Sequence, residues 1–339
     1  MSSLSLVTPV TQRDVALCAL QCNSVDRHLS CYVKHHVIVP DDELALFKRF
    51  NGVRRVVVPT SELLPAWLRP MPRVLQHKGQ RYWWSLRTSP VGAAHVQRVL
   101  KIAAASTFAE DRHCILDPDI VFFRQFDLSL LLSPRLAPLL ETPLASCPAH
   151  PHRMRTTSRL LGLEAASLPA TDFSGRIVVW DRLTARAMVE RIETTTGVEW
   201  VEALCRARYV SECMLYGCFV HDSPRHRSEH AATSSARCLS FGQPAPDRAT
   251  IEATLRTARE DDVACSTTGL AASSIEILGA VVAAGASGCA AAYGSPPSRG
   301  RQRSFDPPAE VRDDDAPLSV SFASKAAKVL RCGEQRDGP

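Results

Sequence analysis

The chain has 339 residues, 45% of them apolar, and a formal charge of +5. That size and apolar content support a large core and exclude a disordered or fibrous chain. Its basic residues are spread along the chain without the blocks usual in a nucleic-acid binder, and an anionic small substrate is as good a partner. In chain order, LSLVTPV (residues 4–10) reads as a strand ended by proline, and residues 11–28 carry helical spacing through Val15, Ala19, Cys22 and Val25. The pattern then repeats: VKHHVIVP is strand-like, DDELALFKRF a helix with acids in its first turn, RRVVVPT a third strand. An excursion over residues 61–90 holds Trp67, Tyr82, Trp83 and Trp84, and residues 93–108 form an Ala-rich helix that leads into CILDPDIVFFRQF. Beyond it, FSGRIVVWD is another strand, and residues 183–194 and 199–215 are helical.

Strands separated by helices imply a doubly wound, Rossmann-type, mostly parallel α/β sheet with helices on both faces. The domain is expected over residues 1–263. Ala, Gly, Ser and Pro dominate residues 264–339, which read as a weakly ordered tail. Within that tail, IEILGAVVAAGASGCAAAYG resembles a membrane span, but its small residues and Glu276 argue against one. Twelve cysteines occur without CxxC or zinc-ligand spacing and read as reduced core residues. The N-terminal residues lack the basic and apolar regions of a secretory signal, so a cytoplasmic location is expected.

Asp117 and Asp119 interrupt an otherwise apolar run. Ionised carboxylates are rarely buried without a partner, and Pro118 has no N–H for a sheet ladder, so the strand should end at Leu116. That places the acids outside the carboxyl end of a fourth strand, where open α/β sheets bind ligands. Two carboxylates at i and i+2 can supply oxygen ligands to Mg²⁺ or Mn²⁺, whose open positions substrate phosphates fill. A turn with two solvated acids is the plain alternative.

The segments VTPV, PVGAAHVQRVLKIAAA, LDPDIVFFRQFD, DFSGRIVVWDR, GVEWVEAL and SECMLYG resemble, in order over residues 4–263, an uncharacterised bacterial family of GT-A-like glycosyltransferases. The resemblance implies transfer of a sugar from a nucleotide-diphosphate donor to a glycan, lipid or small-molecule acceptor. Asp117 and Asp119 would hold the metal, with Asp117 also meeting the donor. Val7, Thr8 and Pro9 would cradle the nucleotide, or simply end a strand. Gln97 and Lys101, one helical turn apart, would reach a phosphate or sugar hydroxyl, or form a solvated helix face. Glu212 would take the acceptor's proton as general base, with its pKa raised in a partly dry cleft, or lie on a helix surface; Asp172 is the next candidate. One departure is Leu239, which stands where the family pattern carries a histidine; His221, His226 or His230 could substitute as a ligand. A degenerate sugar-nucleotide binder is therefore an alternative. D-P-D-I-V also fits the nucleophile motif of haloacid-dehalogenase-type phosphatases, but no lysine follows Lys101 until Lys325.

Overall fold

The computed structural model describes residues 3–30, 33–72, 81–131, 136–144 and 150–288. It opens on β1 (Leu4–Pro9), α1 (Val15–His28), β2 (Lys34–Val39), α2 (Leu44–Phe47) and β3 (Arg55–Pro59). The aromatic excursion includes a small antiparallel sheet of β4 (Arg69–Pro70), β5 (Tyr82–Trp84) and β6 (Val91–Gly92). It hands the chain to α3 (Ala93–Thr107), β7 (Arg112–Leu116) and β8 (Ile120–Phe122). There follow β9 (Ala137–Leu140), β10 (Thr142–Pro143), α4 (His150–Leu161), β11 (Thr171–Asp172), β12 (Ile177–Asp181) and α5 (Arg182–Thr196). The rest comprises α6 (Trp200–Arg206), α7 (Glu212–Asp222), α8 (Pro224–Ser228), β13 (His230–Thr233), β14 (Cys238–Ser240), α9 (Arg248–Arg256), β15 (Ala264–Ser266) and α10 (Ala272–Gly288).

The central sheet has the order β12-β7-β1-β2-β3. Strands β7, β1, β2 and β3 run parallel; β12 is an antiparallel edge, Ile177 opposite Leu116. From β1 the chain first builds outward through β2 and β3, then returns to add β7 on the other side, so the winding switches between β1 and β7. Period-two alternation covers both faces. Leu4, Leu6, Cys114, Leu116 and Val179 pack with Val25 of α1, while Val7, Ile38, Val58, Ile115 and Val178 pack with Val96, Val99 and Ile102 of α3. The architecture is thus mixed α/β, with parallel strands and flanking helices.

Two expectations need correction. Residues 199–215 are two helices, because the chain leaves helical geometry after Arg206, passes through left-handed Tyr209 (φ 58°), and restarts where Ser211 caps α7. The domain does not stop at residue 263. Strand β15 lies between β14 and β8, and Leu278 and Val282 of α10 bury against Val121, Ile251 and Cys265. A small-residue composition hides these helical and strand contacts; residues 289–339 lie outside the described residues. Among the described residues, no helix is long and apolar enough to cross a membrane. The described cysteines are free thiols, and all but Cys238 are buried.

Candidate functional site

Strand β7 ends at Leu116, as Pro118 requires, and Asp117–Ile120 make a turn in which the Ile120 amide donates to the Asp117 carbonyl at 3.2 Å. Gln21 of α1 pins this turn from beneath, its side-chain amide donating to the carbonyls of Asp117 (2.6 Å) and Ile120 (3.3 Å). By the register that sets Val7 beside Ile115, Pro9 stands level with Asp117, so the turn lies at the carboxyl end of the sheet beside the winding switch. Elsewhere this end is bridged over. The Gln12 amide and Arg81 both donate to Glu43 at 2.6 Å, Arg81 also pairs with Asp42, and its guanidinium stacks on Trp83.

The two aspartates have different surroundings. Lys101 of α3 places Nζ 2.7 Å from Asp117 Oδ1 and 2.9 Å from Glu212 Oε1, the first residue of α7; Arg98 stands 3.6 Å from Glu212 Oε2. Asp119 is held from the opposite side. Its Oδ2 accepts from the hydroxyls of Ser266 (2.6 Å) and Thr268, Arg176 lies 3.5 Å away, and the Thr267 amide donates to its carbonyl at 2.9 Å. Asp117 and Glu212 thus share Lys101, while Asp119, two residues on, has its own partners. Burial pushes the Glu212 carboxyl up, but Lys101 and then Arg98 outweigh it and hold the group below its usual value. Burial pulls Lys101 down, and Glu212 and Asp117 more than restore it, so the ammonium stays charged.

Asp117, Lys101 and Glu212, chosen from distant stretches of sequence, therefore meet through direct contacts, and Asp119 joins them through the turn. Glu212 is neither a surface glutamate nor a carboxyl of raised pKa; that expectation fails because its partners are cations. Gln97 lies one turn before Lys101 and is half-buried, and its side chain makes no hydrogen bond among the described residues. Val7 and Thr8 are wholly buried, Val7 in the α3-facing core and Thr8 bonded to His35 (3.0 Å); Pro9 is buried as well. Their side chains are closed to a nucleotide, because the strand is central. Asp172 accepts from the Ser174 amide at 2.8 Å in a local turn and touches none of the other candidates. His226 bonds Thr184 and His230 bonds Tyr216, while His221 is exposed on α7; among the described residues none of them groups with the aspartates as a third metal ligand. Leu239 does not aim at Asp119 either. Its side chain packs with Cys265 and Ile251, whereas the neighbouring Ser240 stands level with Ser266. Residues missed by sequence reading are Arg98, Arg176, Ser266 and Thr268; only Arg98, three positions before Lys101, carried a signal.

Metal binding is compatible with this geometry. Among the described residues, no hydrogen bond is made to Asp117 Oδ2 or Asp119 Oδ1, and the Asp117 side chain is 37% exposed. Among the described residues no three His, Cys, Asp or Glu side chains converge, so a divalent ion would take its further ligands from phosphate and water.

The parallel sheet and its flanking helices define the general class as an α/β protein. A family model described as a family of unknown function (DUF6492) matches residues 1–241, and the chain belongs to that family. No curated protein matches it.

Proposed function

We propose that the protein is a glycosyltransferase that binds a nucleotide-diphosphate sugar at Asp117 and Asp119 with the help of Mn²⁺ or Mg²⁺. The observation that carries this reading is the aspartate pair on the turn after β7, beside the winding switch, each residue with one carboxylate oxygen held by neighbouring side chains. A bound divalent ion would supply charge that stabilises the departing diphosphate. Around it, Lys101 and Arg176 are placed to draw an anionic donor in, while Gln21, Ser266 and Thr268 hold the aspartates in position. The likeness of the sequence motifs to GT-A-like enzymes supports the same reading. A binding-only protein is the second reading, favoured by Glu212, whose carboxylate is already committed to Lys101 and Arg98.

The first test is thermal stabilisation by uridine diphosphate with Mn²⁺. Asp117→Asn and Asp119→Asn keep the shape but lose the charge that holds a hard cation, so each should lose most of the stabilisation seen in the wild type. Equal shifts in all three chains would overturn the metal-site reading. Turnover of a sugar-nucleotide panel then separates transferase from binder.

A further inference from the structure

Lys101 differs from the other cations of the site. Arg98 and Arg176 are more than a third exposed and stand 3.6 and 3.5 Å from their carboxylates, whereas the Lys101 side chain is 12% exposed and sits 2.7 and 2.9 Å from two. An ammonium has three N–H groups; here Nζ donates to Glu212 Oε1 and pairs with Asp117 Oδ1, which leaves room for a further acceptor. The expectation that Lys101 reaches for a phosphate thus meets an ammonium already engaged by protein acids. A divalent cation on Asp117, with ligand distances of about 2.0–2.2 Å, would stand only a few ångströms from that ammonium. Like charges so close, in a crevice partly shielded from water, repel strongly. An anion able to accept the third N–H would cancel the repulsion.

We infer that Lys101 is a counter-ion that withholds Asp117 from a divalent metal until a diphosphate arrives, and so couples the binding of the two. This rests on reading the crevice as a metal-diphosphate site. Lys101 then acts on the metal through Asp117, as a positioning residue, and the coupling is reciprocal.

Mn²⁺ binding, followed by loss of the free ion's electron spin resonance signal, tests this in wild type and Lys101→Met, each with and without uridine diphosphate. A diphosphate chelates metal in free solution, so tighter binding in its presence decides nothing; the comparison between chains does. Without diphosphate, Lys101→Met should bind Mn²⁺ at least tenfold more tightly than wild type, and its gain on adding diphosphate should be at least tenfold smaller. Should that variant fail to fold with two unpaired acids, Lys101→Met with Glu212→Gln removes one charge of each sign and should show the same metal gain. Equal Mn²⁺ affinity in wild type and the folded Lys101 variants, with Asp119→Asn still weakening it, overturns the role of Lys101 and leaves the metal-diphosphate reading standing. No Mn²⁺ binding in any chain, with or without diphosphate, overturns both.

Discussion

Glu212 begins α7 with Lys101 on one carboxylate oxygen and Arg98 near the other, and its side chain is almost wholly buried. Removing one partner from a buried ion pair costs about 3–5 kcal/mol, and Asp117 remains as a second anion for Lys101, so Glu212→Gln should lose about 3 kcal/mol of unfolding free energy. Loss of the pair, not of the residue, is the cause: a double-mutant cycle with Lys101→Met should be clearly non-additive. Additive losses would show that the contact carries no coupling. The pH dependence has a definite sign. The folded pKa lies below the ordinary 4.5, so the pair's contribution is complete above that value and fades as pH falls through the folded one. The stability gap between wild type and Glu212→Gln should therefore shrink on acidification. At this scale the aspartates were legible, since charges inside an apolar run need a reason, whereas Lys101 and Glu212 were singled out only through the family resemblance. Asp119's partners were not: hydroxyls in a Ser-rich segment look alike until tertiary structure selects Ser266 and Thr268.

Elements meet in ways that their separate patterns do not declare. The DFSG segment before β12 and the SECMLYG helix are far apart in sequence, yet the Phe173 ring lies directly against Gly217, and a Cβ at that position would overlap the ring. Alanine in place of a helical glycine gains about 0.5–1 kcal/mol from backbone propensity, whereas forcing an extra methyl into a packed contact costs about 1–3 kcal/mol. The second effect should win, so Gly217→Ala should lower the melting temperature, and an unchanged or raised value would sink this account of the contact. Strand β7 and its end were readable because proline and the apolar run agree on Leu116. The break between α6 and α7 was not, because apolar spacing continues across Ala207–Val210 and only the Ser211 cap marks a restart. The antiparallel sense of β12 was likewise invisible, since a buried strand reads the same in either direction.

The whole molecule extends further than its composition suggests. The family model ends at residue 241, yet β15 is the middle strand of a three-stranded sheet, and α10 packs on its far side. A chain cut after Val263 would lose that strand, the helix and both hydroxyls on Asp119. It should be insoluble or melt well below the full chain, and a soluble truncation with the full chain's melting temperature would refute this. Alternating strands and helices made the central sheet legible from the sequence; the second sheet was not, because β8, β14 and β15 are three residues each and β14 and β15 lie in polar or small-residue surroundings. The hydrogen bond from Ser266 to Asp119 spans 147 positions. At a synthesis rate of about 5–20 residues per second, roughly 7–30 s separate the emergence of one partner from that of the other. For that interval the nascent chain carries an aspartate with no hydroxyl to meet it and an apolar β8 edge with no neighbour, so the speed of translation between these two points sets how long the unfinished sheet is open to the wrong partner.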